Sequence, residues 1–204
     1  MNYTQLCEES HAISKEKGWL DVPRSFDGDI ALMHEELSEA LSDYRSHKGL
    51  NESYYELTVV GLDGKKTTAV FSAKEKKERE DSVDLAGNPL VFKPCGIPTE
   101  LADLVIRIAQ YCGSNSIDLA GSIEEFGKHE KWTGEWLSNF ETFIRRAHFV
   151  LANVSEEGRA HGFTQVVTFV TAFCALNNID LDSAIKEKAA YNRTRPHRHG
   201  GRKI

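Results

Sequence analysis

The stretch IALMHEELSEALSDYR (residues 30–45) places apolar residues at Ile30, Met33, Leu37, Ala40, Leu41 and Tyr44. Those steps of three and four predict a helix with one buried stripe. Glu36 and Glu39 fall beside the stripe and, three residues apart, share a face. The arrangement recurs in TELADLVIRIAQYC (residues 99–112), where Leu101, Leu104, Val105, Ile108 and Cys112 form the stripe. Glu100, Asp103, Arg107 and Gln110 border it. Two such helices packed antiparallel would gather four carboxylates. So much negative charge beside a core calls for a cation, and a hard, all-oxygen set suits Mg²⁺ or Mn²⁺, ions that commonly handle phosphates. Arg107, one turn beyond Asp103, is placed to hold a carboxylate or reach a phosphate.

The remaining chain sets the context. At 204 residues with 40% hydrophobic and 27% charged residues, it reads as one soluble domain carrying insertions. A net charge of -6 argues against non-specific nucleic-acid binding as the main task, although residues 192–204 (NRTRPHRHGGRKI) are strongly basic. Cys7, Cys95, Cys112 and Cys174 are scattered without a C-x-x-C pair, as expected of reduced thiols. The N-terminus lacks an apolar signal-like run and nothing approaches a membrane span, so a cytoplasmic location is expected.

Working along the chain, residues 3–17 predict a first helix closed by Gly18, and Ser25 or Asp27 is placed to cap the next. YYELTVVGLDGKKTTAVFS (54–72) predicts a β-hairpin turning at Asp63-Gly64. Residues 73–88 are polar, a short helix or a loop. PLVFKPCGIP (89–98) is extended, with Thr99 as the expected N-cap of the second acid-bearing helix. Further helices are predicted at Phe140–Asn153, Phe163–Leu176 and Leu181–Thr194. YCGSNSIDLAGSI (111–123) and FCALNNIDLDSAI (173–185) echo one another, consistent with a partly duplicated helix-loop-helix whose second copy lacks the acid pair. In the last helix, Lys188, Asn192 and Arg195 share one side, with Tyr191 overlapping it, and suit a phosphate and sugar clamp. Asp43 reads as a surface acid, Trp19, Trp132 and Trp136 as packing residues, the last two also as candidate interface contacts. His197 and His199 read as a flexible basic tail, because imidazoles suit Mg²⁺ poorly. No P-loop and no GxGxxG motif occurs.

Three stretches, EELSE (35–39), KPCGIPTELAD (93–103) and KEKAAYNRTRPHRHGG (186–201), resemble the MazG-like all-α nucleoside triphosphate pyrophosphohydrolases. That family's EExxE, ExxD and Lys-Asn-Arg pattern matches Glu35, Glu36 and Glu39, then Glu100 and Asp103, then Lys188, Asn192 and Arg195. The resemblance implies an all-α fold with a MazG-like four-helix core, here carrying a β-hairpin insertion at about 51–92 and an added helical segment at about 113–178. It implies Mg²⁺, with Mn²⁺ as substitute, held by Glu36, Glu39, Glu100 and Asp103, with Glu35 and Arg107 behind them. Glu36 or Glu39 would orient or deprotonate water, and Lys188, Tyr191, Asn192 and Arg195 would bind substrate. The implied activity is hydrolysis of a (d)NTP to monophosphate and pyrophosphate by a homo-oligomer, a dimer or a tetramer. A non-catalytic helical regulator is the alternative. A di-iron oxidase fits less well, since no histidine stands three residues after Glu36, Glu39 or Glu100.

Overall fold

A computed structural model describes the chain except at residues 47, 62, 80, 85–86, 130–131 and 201–204, and describes no side chain at 135–136 or 199–200. Helices α1 (Tyr3–Glu16) and α2 (Phe26–Arg45) come first. Strands β1 (Tyr54–Val60) and β2 (Lys66–Ser72), the short helix α3 (Ala73–Lys77) and strand β3 (Lys93–Cys95) follow. Then come α4 (Ile97–Ser114), α5 (Leu119–His129), α6 (Phe140–Ala152), α7 (Arg159–Leu176) and α8 (Leu181–Thr194), with 3₁₀ turns at Glu135–Ser138 and His197–Gly200. Among the described residues the protein is mainly helical with one small antiparallel sheet.

Helix α4 is the hub. Leu101, Ala102, Leu104, Val105, Ile108 and Ala109 are all fully buried, so apolar contact surrounds more than one face of it. It packs against α1, α2 and α8, a four-helix arrangement, while α5, α6 and α7 add a second layer. Phe143, Phe163, Phe169 and Phe173 fill that layer, with the Phe143 and Phe173 rings stacked at 3.8 Å between centroids. Trp132 packs there too: it stacks on Phe126 and its indole N–H donates to Thr168 at 3.0 Å. The Trp136 side chain lies outside the described residues. No single helix among the described residues is long and apolar enough to cross a membrane; α7 and α8 pass that test only as a pair bent by 118°.

One helix start agrees with the sequence expectation and one differs from it. α2 begins at Phe26 because the Ser25 hydroxyl accepts the Gly28 N–H, four residues before the apolar periodicity starts. α4 is not capped by Thr99, which lies inside it and is buried; Gly96 occupies the cap position, followed by Ile97 and Pro98. Proline fits there because first-turn N–H groups need no helical partner. Gly96 has φ +111°, and a Cβ on it would lie 2.4 Å from the Glu52 carbonyl oxygen. The chain therefore leaves for the sheet at Glu52 and returns at Gly96 at nearly the same point.

The expected hairpin forms, with β1 and β2 paired in unbroken register from Tyr54↔Ser72 to Val60↔Lys66. It gains a third strand that the sequence reading left as an extended segment: β3 pairs with β1 to give the order β2-β1-β3. The echoed segments adopt one local geometry. In both, an asparagine amide (Asn115, Asn177) donates to a carbonyl four residues back, at Tyr111 or Phe173. A residue at φ 55° (Ser116, Asn178) follows, and then an aspartate (Asp118, Asp180) accepts the N–H three residues on. Corresponding residues at the same spacing, with Ser116 in the place of Asn178, thus close α4 and open α5, and close α7 and open α8. At the places of Glu100 and Asp103, the second copy has Gly162 and Gln165.

Candidate metal centre

Glu36 on α2 accepts a hydrogen bond from Arg107 of α4, while Glu39, one turn later, lies beside the earlier Glu100. The two helices therefore run in opposite directions, and their acids meet. Carboxylate oxygens of Glu36, Glu39 and Glu100 lie within 4.8 Å of one another. Glu36 and Glu100 are 2% and 3% exposed, whereas Glu39 sits at the exposed rim. Glu100 occupies the first turn of α4, where the helix dipole favours an anion. Asp103 is drawn to Lys188 instead, whose buried ammonium lies 3.2 Å from it and 3.9 Å from Glu100.

Four acids thus face two fixed cations, Arg107 and Lys188. One oxygen, Glu100 Oε2, is buried without a hydrogen-bond partner among the described residues. An unmatched buried carboxylate oxygen is costly, and a divalent cation is the partner that would satisfy it and its neighbours. The donors are all hard oxygens, so Glu36, Glu39 and Glu100 fit Mg²⁺ or Mn²⁺.

The charge states follow from burial. Desolvation, with Asp103 adding to it, pushes the Glu36 carboxyl up to about 8 against the pull of Arg107. Burial also pushes Glu100 up to about 8, opposed by Lys188 and reinforced by Asp103 and Glu39. Burial alone would raise Asp103, but Lys188 and Arg107 hold it below its ordinary value. Burial would lower Lys188, but Asp103 and Glu100 raise it. Between the ordinary carboxyl value of 4.5 and about 8, the native protein holds protons on Glu36 and Glu100 that the unfolded chain releases. Metal-free stability contributed by these groups therefore falls as pH rises through that window, by at most about 1.4 kcal/mol per pH unit for each. Mn²⁺ held by these carboxylates would have to displace the same protons. Calorimetric titrations below pH 8 in buffers of different ionisation enthalpy are expected to show proton release, and affinity climbing with pH; a pH-independent affinity over the window would rule the ligand set out.

The C-terminal helix divides its expected clamp between two places. Lys188 belongs to the acid cluster. Asn192 and Arg195 line a narrow cleft of about 40 Å³ beyond it, together with Asp103, Arg107, Trp19 and Arg24. Asn192 is 3% exposed and its Oδ1 has no hydrogen-bond partner among the described residues. The Arg195 guanidinium lies 5.5 Å from the Trp19 ring centre and 6.0 Å from that of Tyr191, which is half-buried outside the cleft. Glu35 is exposed and acts on Arg107 only through its charge. Asp43 accepts the Tyr54 hydroxyl at 2.8 Å and so ties β1 to α2. His197 is not free: the tail turns back so that Arg198 bonds the Lys17 carbonyl and Asp21, with His197 3.6 Å from Asp21. The side chain of His199 lies outside the described residues. Trp19 and Arg24 were not singled out as site residues by sequence; they come from an irregular loop, where no periodicity assigns a facing direction.

Compared with known protein families, curated proteins and solved structures, the chain matches none of them. Its site must be read from its own geometry.

One further network lies on α8, beside Lys188 in sequence. Glu187, next to Lys188, accepts the Tyr55 hydroxyl at 3.0 Å and the Lys76 ammonium at 2.7 Å, with that ammonium over the Tyr55 ring. The inserted sheet is thereby clipped to α8.

Proposed function

We propose that this chain is a Mg²⁺-dependent nucleoside triphosphate pyrophosphohydrolase with a MazG-like core, serving to remove unwanted (d)NTPs. The observation that supports it best is the adjacency of two unlike places. A trio of carboxylates with an unmatched buried oxygen borders a cleft holding Arg24, Arg107, Arg195 and the unpaired Asn192 acceptor. Glu36, Glu39 and Glu100 would hold the ion. When bound, Mg²⁺ or Mn²⁺ neutralises phosphate charge and acidifies water.

The chain's own residues do the rest. Arg107, fixed by Glu36, and Arg195 face the phosphates, where extra charge develops as the bond breaks. Asn192 Oδ1 accepts from a sugar or base donor. Glu39, at the rim, has the access needed to orient or deprotonate an attacking water. Lys188 keeps Asp103 and Glu100 in register. The cleft is too narrow for a nucleotide as it stands, so Arg195, at the extended residue that ends α8, must swing aside on binding.

That narrowness also favours a second reading, a metal-bound regulator without turnover. Incubation with a panel of canonical and modified (d)NTPs and Mg²⁺, free of pyrophosphatase, separates the two. Attack at the α-phosphorus releases pyrophosphate and a monophosphate. Orthophosphate as the sole first product eliminates this activity, and inertness towards every triphosphate leaves the regulator.

A further inference from the structure

Helix α2 carries an imidazole that the acid cluster does not use. His34 stands two residues before Glu36, and residues two apart on a helix point in nearly opposite directions. Glu36 accordingly meets Arg107 of α4, whereas His34 meets His148 of α6. The two Nδ1 atoms lie 2.8 Å apart, while the ring centres are 5.0 Å apart and the ring planes differ by only 7°. The nitrogens are so much closer than the centres that both must sit between the rings. The imidazoles therefore lie edge to edge in nearly one plane, each Nδ1 aimed at the other.

Such a contact needs one Nδ1–H to donate and one bare Nδ1 to accept. Neither ring makes another hydrogen bond among the described residues, and neither is paired with a carboxylate. At the other end of the same α2–α6 seam, Tyr44 stacks on Phe140 with ring centres 4.6 Å apart. A neutral hydrogen bond contributes only about 1 kcal/mol, and a second aromatic pair would contribute as much. What the imidazoles add is two nitrogen ligands brought to one place by two rigid helices. We infer that His34 and His148 form a binding site for a borderline d-block cation, Zn²⁺ foremost, which pins α2 to α6 on the side of α2 away from the acid trio.

Imidazole nitrogen suits Zn²⁺ and its neighbours but not Mg²⁺, so the two faces of α2 sort hard cations from borderline ones. A tetrahedral ion bonded to both Nδ1 atoms at about 2.0–2.1 Å holds them about 3.3 Å apart. The rings therefore part by roughly half an ångström and tilt from in line to a V. Both are half-buried, which gives them solvent on one side for that tilt and water to fill the remaining coordination positions. No proton has to leave. The donor ring moves its N–H from Nδ1 to Nε2, and both rings stay neutral ligands.

Zn²⁺ is added to the full chain in excess Mg²⁺, so that hard oxygen sites are not what is read. It is expected to move the imidazole nitrogen NMR signals of His34 and His148 together and to raise the melting temperature. His148→Gln keeps an amide able to hydrogen-bond His34, so circular dichroism should stay unchanged while Zn²⁺ affinity, by calorimetry, falls at least about tenfold. His34→Gln should behave alike. Glu39→Gln and His197→Ala should leave Zn²⁺ affinity as it is, which separates this pair from the acid trio and from the C-terminal tail. Zn²⁺ bound equally well by the wild type and both glutamine variants overturns the inference. So do ring signals that Zn²⁺ leaves in place, since the pair is then a hydrogen bond between helices and nothing more.

Discussion

Glu39→Gln and Glu100→Gln are each expected to lower Mg²⁺-dependent pyrophosphate release by about a hundredfold or more. Each keeps the side-chain shape and removes one anionic oxygen pair from the trio, so circular dichroism should stay unchanged. Glu36→Gln should match them in activity while also freeing Arg107 from its partner. The stability change has the opposite sign. At pH 8, an ionised carboxyl at position 36 or 100 opposes folding, so Glu36→Gln or Glu100→Gln should make the metal-free protein more resistant to denaturant. Asp103→Asn differs, because that carboxylate is the partner of Lys188, and its loss should destabilise. Retention of most activity by Glu39→Gln would take the ion away from this trio.

Lys188→Met is expected to cost about 3–5 kcal/mol of stability at neutral pH, the usual result of removing one member of a buried ion pair. Methionine keeps the volume, so the loss measures charge and not a cavity. Asp103 loses its 3.2 Å partner and Glu100 loses the ammonium 3.9 Å away. Mn²⁺ affinity should rise in the same variant, since a fixed positive charge beside the trio no longer repels the ion. Turnover should nevertheless fall, because Asp103 and Glu100 are no longer held in register by a shared cation. A clamp that met only phosphate would leave Mn²⁺ affinity untouched, and calorimetry on the variant tells the two apart. Destabilisation below about 1 kcal/mol would mean that the pair is not buried in solution.

The helices that carry the acids were legible because burial imposes a period. Leu37 and Ala40 on α2, and Leu101, Leu104 and Ile108 on α4, sit where steps of three and four put them, and the acids follow on the flank. The same logic put Lys188, Asn192 and Arg195 on one side of α8. It could not tell which neighbour each would meet, because rotation about one helix says nothing of the packing of another. Lys188 therefore reads as a substrate clamp by sequence and lies among carboxylates in the fold. Helix α4 hid its true start behind Pro98, and β3 behind its three-residue length and Pro94. Helix α5 was not assigned on its own although Leu119, Ile123 and Phe126 stand at helical spacing, because it is only eleven residues long and carries glycine at 121 and 127. Trp19 and Arg24 reach the cleft from a loop, where only the tertiary structure gives direction.

Gly96 and Glu52 nearly touch, so cutting out the intervening sheet and closing the gap with a short turn looks geometrically harmless. The Glu187 clip argues otherwise. Without Tyr55 and Lys76, α8, the helix that carries Lys188 against Asp103 and Glu100, loses its tie to the strands. A chain trimmed to its helices would therefore keep every metal ligand yet hold the helix that faces them less firmly. What looks like an appendage in sequence is in mechanical terms a brace for the cluster, and a minimal version of this protein would have to replace that tie along with the strands.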